Sequence, residues 1–523
     1  MNHHKNKFLL VLLVIAVAFS ACKKQWDDRT ATVNQQLDKT LMQQIQENSN
    51  LSTFAGYLTK IGYDKLLSTS KTYTVWAPDN QALQSIDPAV VADTAKLRLF
   101  IANHVANQVY LTANAQPSLK IRTLNGKNVT FTATTVEDAT ITGANQYVNN
   151  GVLHVINKAL APKLNIYEYI KSLTAVGAMH KQYLLSQDTS FIDTAKATVA
   201  SIDPKTGKPI LVSGTGVVNQ NKYFNRVANL AAEDSTYTYF VLTDAAFSTE
   251  RSKVSRFFAT VTNSVDTTNA LAGFNVLKDV AIRGTVLPDA LPASLKSIFG
   301  VNVPINKAAI VQSYKASNGM VYVMSSMDFA LADKIRPITI QGELPSFFQR
   351  TDTRANIQYR IKRDPNGVDF SDILLSASNL PGQYFVAYKL SNLYTCQYKV
   401  TWRAINDIPY VAPTGGTLPT VSQRLMFGPI TPTINGTTAT LSFVVTFPYV
   451  NTSSPALPVN YAEVVLTGAT GANANINSTG GTLNVTKYNS VNMYLQNANI
   501  TGTGTNVNLN AMTLDYVTLT PIL

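Results

Sequence analysis

Cysteine is nearly absent. The 523-residue chain has two, Cys22 and Cys396, which excludes the disulfide framework that staples many small exported domains. If Cys22 is consumed by other chemistry, no intramolecular disulfide remains and packing alone holds the folded parts. Histidine is almost as scarce. Of five, His3 and His4 lie at the extreme N-terminus, leaving His104, His154 and His180, too little material for a multi-histidine metal site or a histidine-based triad. Charged residues make up only 14% of the chain, and its net charge of +12 comes from 43 basic and 31 acidic residues. No run of five or six like charges concentrates that excess, so it reads as a diffuse solvated surface and not as a track for nucleic acid. HExxH, paired CxxC, GxSxG and GxxxxGK[ST] patterns are missing. These absences argue against an enzyme and against any bound cofactor.

Long apolar runs are missing too, with one exception. Basic Lys5-Asn6-Lys7 precedes the apolar stretch Phe8 to Phe19, followed by Ser20-Ala21-Cys22 and then Lys23-Lys24. A spanning helix needs about 20 apolar residues; this stretch is shorter and has the layout of a secretory signal. Small residues directly before a cysteine resemble the lipobox of bacterial lipoproteins. The resemblance implies cleavage after residue 21, acylation of Cys22, and a cell-envelope protein of the outer membrane. Several acyl chains suffice for stable anchoring where one does not, so the rest of the chain need not enter the bilayer. Whether the anchored protein faces the periplasm or the outside stays open.

Removing 1–21 leaves a length that suggests three or four domains at about 150 residues each. Residues 22–50 read as a polar tether with a short helix, Leu37, Leu41 and Ile45 falling on one helical face. Phe54, Leu58 and Ile61 fit a second helix ended by Gly62, and Tyr73 to Ala77 reads as a strand that Pro78-Asp79-Asn80 closes, opening another helix. An internal repeat then appears. Thr72 to Leu83 aligns with Thr236 to Phe247 at an offset of 164, Asn103-His104-Val105-Ala106 with Lys278-Asp279-Val280-Ala281 at 175, and Asn150 to Ile156 with Asn318 to Met324 at 168. Three blocks in one order at nearly constant spacing mark a duplicated domain.

The blocks Tyr73-Thr74-Val75-Trp76-Ala77-Pro78-Asp79-Asn80 and Asn150-Gly151-Val152-Leu153-His154-Val155-Ile156 resemble the two signatures of the fasciclin family. The resemblance is close over 51–163, with His104 at the family's intervening histidine. It is looser over 164–340, where Leu242 replaces the proline, Asp279 the first histidine and Tyr322 the second, and an insertion spans 186–235. It implies two tandem α+β domains, each a wedge of short strands with helices across it. Pro78, Asn80, His104, Gly151, His154 and Gly319 are then structural motif residues. Asn125-Gly126 independently predicts a hairpin, and Asn150-Gly151 a tight turn into a strand whose Val152, His154 and Ile156 share a face.

From Leu425 to the end, only Glu463, Lys487 and Asp515 are charged in 99 residues. Alternation at Tyr384 to Leu390 and at Tyr394 to Trp402 predicts strands with one buried face, Asn435-Gly436 offers a turn before Leu441, Phe443, Val445 and Phe447, and Leu514 to Leu519 reads as a last strand ending at Pro521. Residues 341–523 therefore read as an all-β sandwich or jelly roll; its closing strand is similar to those of galactose-binding-type sandwiches. Cys396 and Trp402 fall on the apolar face. Tyr410 and Tyr449, flanked by prolines in loops, are better placed to stack on a ligand.

These features point to a membrane-anchored binding or adhesion protein that meets a glycan, matrix or cell-surface protein. An accessory glycan-capture subunit of an outer-membrane uptake system is the alternative, and a carbohydrate-active enzyme a distant third. The anchor is directly testable. Cys22→Ser is expected to move the protein from the membrane pellet to the soluble fraction on cell fractionation, and retention in the pellet would refute acylation at this site.

Overall fold

Thr40 starts the first described helix through a capping box: its hydroxyl accepts the Gln43 N–H, and the Gln43 side chain accepts the Thr40 N–H. The helix runs Leu41–Glu47 and buries Leu41, Met42 and Ile45. Leu37, expected on the same face, sits instead in a separate 3-10 turn, Gln35–Asp38, and is exposed, because the cap restarts the backbone at Thr40. The computed structural model describes residues 35–349, 357–376, 380–408, 420–428, 433–435, 438–440, 444–453, 458–498 and 510–523. The signal segment 1–21, Cys22, Tyr410, Gly436, Leu441 and Phe443 lie outside them.

In the first repeat β1 (Tyr73–Pro78), β2 (Val105–Asn107), β3 (Leu119–Arg122), β4 (Asn128–Phe131), β5 (Thr135–Val136), β6 (Ala139–Val148) and β7 (Gly151–Ile156) form one sheet, ordered β2-β1-β7-β6-β5-β4-β3. β1 and β7 pair in parallel, from Tyr73 opposite Gly151 to Pro78 opposite Ile156. Such a pair needs a long crossover, and residues 79–150 supply it with helices and the outer strands. Helices Leu41–Glu47, Ser52–Lys60 and Thr94–Ala102 cover one face, burying Leu41, Ile45, Phe54, Leu58, Leu97 and Ile101 against Val75 and Leu153. On the other, Trp76 and Ile156 pack with Ile121, Val129, Phe131 and Val136. A strand covered on both faces loses its alternation: every β1 position is buried, and so is every β7 position except half-buried Val155.

Two turns differ from expectation in detail. Asn125-Gly126 does lie between β3 and β4, but in a five-residue loop held by Thr123 and Lys127, and only Gly126 takes a positive φ, of 83°. After Pro78 the chain enters a 3-10 turn, Ala82–Ser85, and not a longer helix.

The insertion in the second repeat forms two hairpins, β8 (Asp188–Ile192) with β11 (Val217–Asn221) and β9 (Val199–Ile202) with β10 (Pro209–Leu211). Next come β12 (Tyr237–Leu242), β13 (Ala281–Arg283), the pair β14 (Ser294–Lys296) and β15 (Asn302–Pro304), β16 (Ile310–Ala316) and β17 (Gly319–Met324). The sheet order β13-β12-β17-β16 reproduces β2-β1-β7-β6.

Beyond residue 337 the described structure is almost entirely strand. One six-stranded sheet contains Ile338–Gln341, Tyr516–Ile522 and Gln397–Arg403; a second contains Phe385–Leu393, Asn489–Asn497 and Val421–Gly428. Both contribute to one apolar cluster, with Tyr388, Leu390, Phe427 and Met493 from one side and Tyr398, Val400, Trp402 and Leu519 from the other. The boundary expected at 340/341 therefore falls inside a strand belonging to this cluster's sheet. Tyr394 and Cys396 precede the strand they were expected to start. The final strand is split: Met512–Leu514 pairs with Asp369–Leu375, Tyr516–Ile522 with Gln397–Arg403. Asp515 makes the step between them, its N–H donating to the Arg403 carbonyl and its carboxylate accepting from the Arg403 guanidinium at 2.7 Å.

By contacts the chain divides into two units, Met1–Ser172 with Leu230–Tyr237 and Tyr314–Met320, and Leu173–Asn229 with Thr238–Ser313 and Val321–Leu523. In the first, Glu233 accepts from Asn128 and Ser317 and pairs with Lys127, and Tyr169 stacks on Tyr314 at 4.2 Å.

Gly151 has φ +151°, and a Cβ there would lie 2.0 Å from the Tyr73 carbonyl oxygen. A strained backbone costs on the order of 1–3 kcal/mol, and the overlap adds to it. Gly151→Val is expected to lower the first thermal transition of the full chain by several degrees or more. Gly56→Ala, in a helix with open space around it, should hold or raise it; equal melting of the two variants would refute the steric argument.

Candidate functional site

The motif residues of the first repeat converge on the ends of β1 and β7. Asn150 is 2% exposed; its carbonyl accepts the Leu41 N–H at 2.7 Å, and its amide donates to the Leu67 and Thr69 carbonyls at 2.8 and 2.7 Å. One side chain thereby ties β7 to the first helix and to the segment before β1. At the other end of β1, Asn80 accepts the Thr53 N–H at 3.0 Å and donates to Ser49 O at 2.9 Å, pinning the start of the helix Ser52–Lys60. Pro78, last in β1, needs no ladder donor there.

The two histidines are internal hydrogen-bond bridges. His104, fully buried, donates from Nδ1 to the Phe100 carbonyl at 2.9 Å, and its Nε2 accepts the Leu160 N–H at 2.8 Å. Both nitrogens are engaged in the neutral form, and burial pulls its pKa down to about 4. His154 donates from Nε2 to the Tyr110 carbonyl at 2.9 Å, with Nδ1 facing the Asn145 N–H at 3.3 Å. Burial lowers its pKa as well. Neither has a free nitrogen for a metal, and among the described residues no cluster of three or more His, Cys, Asp or Glu could hold one.

The second repeat reproduces the strand-end bonds of this framework. Tyr73 N–H to Asn150 O becomes Tyr237 to Asn318, Trp76 to His104 becomes Phe240 to Val280, and Asp79 to Ile156 becomes Thr243 to Met324. Asn318 accepts the Ile166 N–H at 2.9 Å and donates to the Leu230 and Ala232 carbonyls, as Asn150 does with its own partners. Gly319 matches Gly151, with φ +153° and a Cβ position 1.9 Å from Tyr237 O. Asp244, at the place of Asn80, accepts the Met179 N–H. Thr74 and Thr238 each donate to a carbonyl (Gln108, Gly284) and accept an N–H (Tyr110, Val286).

These bonds correct the middle block by one residue. Val280, not Asp279, stands at the position of His104, an offset of 176. Asp279 stands at the position of Asn103, since Thr123 donates to Asn103 Oδ1 and Ser297 donates to Asp279 Oδ1 in the same way. Tyr322 does replace His154, and its hydroxyl donates to Val286 O at 2.8 Å, the counterpart of Tyr110 O. Sequence reasoning used Asn150 and Asn318 only as turn residues and passed over Thr74 and Thr238. Their recurrence at offsets of 168 and 164 was the signal available.

His180 has no part in the signature blocks. Fully buried, it contacts the Tyr239 hydroxyl through Nε2 at 2.9 Å and accepts the Leu242 N–H on Nδ1, and burial pulls its pKa down to about 3. In the C-terminal region Cys396 is partly buried, with its thiol pushed up to about 11 by burial, which disfavours the reactive thiolate. Trp402 is 1% exposed and belongs to the core, so it offers no stacking face. Tyr449 is 36% exposed. The Arg424 guanidinium lies 4.4 Å from its ring centroid, and Arg424 and the Tyr449 hydroxyl both donate to Gln496 Oε1. Ser422 and Asn451 lie close by, bonded to each other at 2.8 Å. The result is a fixed surface group of one aromatic ring, one cation and amides.

Residues 49–162 match the family model described as Fasciclin domain. A curated relative, transforming growth factor-beta-induced protein ig-h3 of Sus scrofa, is 22% identical over 134 residues, or 24% of this chain; the chain spans about a fifth of that protein, 20%. Among solved structures, a FAS1 domain pair from the insect cell adhesion molecule fasciclin I is 14% identical with a TM-score of 0.22, covering 55% of this chain and 100% of its own. The C-terminal CBM6 of a laminarinase from Zobellia galactanivorans is 9% identical with a TM-score of 0.20, covering 35% of this chain and 99% of its own.

The buried histidines make stability pH-dependent. Their folded pKa values lie below the ordinary 6.5, at about 4 for His104 and about 3 for His180, so the unfolded chain binds protons first. Stability is full above pH 6.5 and falls as the pH drops from there towards 4, by about 3 kcal/mol for His104 alone. Thermal melts of the full chain between pH 7.5 and 4 should show the decline, and His104→Gln should flatten it; a variant slope equal to that of the parent would remove His104 from the account.

Proposed function

We propose that this chain, whose residues 49–162 match the Fasciclin domain family, of a kind that mediates adhesion or binding, is an adhesive binding protein of the cell envelope, held to the outer membrane through a lipid on Cys22. Residues 164–340 are a second, divergent fasciclin domain in this reading. The observation that carries it is the backbone and side-chain bonding common to the two repeats, including Asn150 and Asn318 with the same three kinds of partner. The two repeats act as a stalk, and the C-terminal domain, a β-sandwich, meets a glycan, matrix or cell-surface protein. Bonds inside the repeats are spent on folding, which leaves recognition to surfaces.

Tyr449 with Arg424 and Gln496 is the candidate contact, with Tyr410 as a second aromatic. A half-exposed ring held in place by a cation loses little freedom on stacking against a sugar. Binding of the full chain to a polysaccharide panel and to cells lacking the protein should be saturable. Tyr449→Ala should weaken it roughly tenfold, about 1.4 kcal/mol, with the circular dichroism of the folded chain retained. No saturable binding to any surface or glycan would sink the proposal, and co-purification with a transporter would assign the protein to glycan uptake instead of general adhesion.

A further inference from the structure

Lys334 closes a short helix, Leu331–Lys334, yet is only 3% exposed. Its amine donates to the Asn275 carbonyl and to Asp279 Oδ2. Asp279 is fully buried; Lys278 donates to the same Oδ2 at 2.6 Å and the Ser297 hydroxyl to Oδ1 at 3.1 Å. Glu250, 2% exposed, is near enough to act electrostatically on Lys334 and is held by Lys253 and the Phe329 backbone. The Phe329 ring lies 4.6 Å from the Lys334 amine. An amine nucleophile, a carboxyl carbon polarised on both oxygens and a second buried carboxyl thus gather in one buried cluster.

We propose that Lys334 and Asp279 are joined by an isopeptide bond that forms spontaneously in the folded chain. Burying an ammonium and a carboxylate is costly even when they pair, and an amide removes both charges at once. Burial already pulls the Lys334 amine down to about 8 and pushes the Glu250 carboxyl up, making the neutral amine and a proton-carrying carboxyl accessible. Lys334 Nζ attacks Cγ of Asp279, and the charge that develops on Oδ1 is held by the Ser297 hydroxyl. The Cγ–Oδ2 bond then breaks. Two of the three ammonium protons of Lys334 end on Oδ2, one relayed by Glu250 and one by exchange through Lys278, and Oδ2 leaves as water. Net charge is conserved, since one cation and one anion disappear together, and no oxidant or co-reactant enters.

The bond would close the loop 279–334 around β16 and β17, giving a cysteine-poor chain a covalent brace against pulling. In the first repeat the corresponding Asn103 faces the Leu160 carbonyl, Thr123 and Asn125 in place of a lysine amine. Tryptic digestion of the full chain followed by mass spectrometry decides the matter. Residues 279–283 are expected joined to 316–350, at their summed mass less one water, because a modified Lys334 resists cleavage and Arg336 precedes proline. Lys334→Arg should abolish the joined species, and Glu250→Gln should leave most of the chain unjoined with its circular dichroism unchanged. A free 316–334 peptide in quantity from the parent protein overturns the proposal, as does a species joining 316–350 to 257–278 with loss of ammonia, which would place the link on Asn275.

Discussion

The parallel pairing of β1 with β7 is the constraint from which the rest of the first repeat follows. Two strands of one sheet can run parallel only if the chain between them returns over the sheet, so the helices and outer strands between residues 79 and 150 fill that return. The pairing also brings the start of β7 against the Tyr73 carbonyl so closely that a side-chain carbon has no room at residue 151. The residue before it, Asn150, takes three backbone partners out of solvent at once. An unmet buried amide or carbonyl costs about as much as a lost hydrogen bond, so this one side chain removes three liabilities where helix, loop and strand meet.

Comparison of the repeats separates what this framework needs from what it tolerates. The donor to the carbonyl of residue 110 or 286 is His154 in one repeat and Tyr322 in the other. Geometry is kept while chemistry changes, because only a donor at that point is required. The exchange of Asn103 for Asp279 is less neutral. A carboxylate with no exposure needs cations, and Lys278 and Lys334 both turn to it. One substitution thereby reorganises a whole pocket, and charge gathers where the first repeat has amides and carbonyls.

The C-terminal region meets the same demand differently. Two sheets share a core built from Tyr388, Tyr398, Trp402 and Phe427, and the tyrosine hydroxyls reach backbone carbonyls, Tyr388 that of Gly342 and Tyr398 that of Tyr394. Polar tips on apolar bodies let large rings fill the core without leaving buried hydroxyls unmet. With so few charges in its last hundred residues, the surface presents amides, hydroxyls and a few aromatic rings. Among the described residues, Tyr449 has its orientation set by Arg424 and Gln496.

Local chemistry made much of this legible in the sequence. The helix ended by Gly62, the strands at Tyr73 and Gly151, the repeat, and the loop at Asn125-Gly126 depend on residues near one another in the chain, whose turn and periodicity preferences act at short range. The need for glycine at 151 and 319 was visible, though for an incomplete reason, since the carbonyl that excludes a side chain belongs to a strand far away in sequence. What needed the folded molecule was every question of which face is covered and which partner a polar group finds. The loss of alternation in β7, the split of the last strand at Asp515, the one-residue shift that puts Val280 opposite His104, and the pocket of Lys334 and Asp279 all arise from segments tens to hundreds of residues apart. Short-range preferences fix turns and periods; burial and hydrogen-bond partnership are properties of neighbours in space, and only the tertiary fold chooses those.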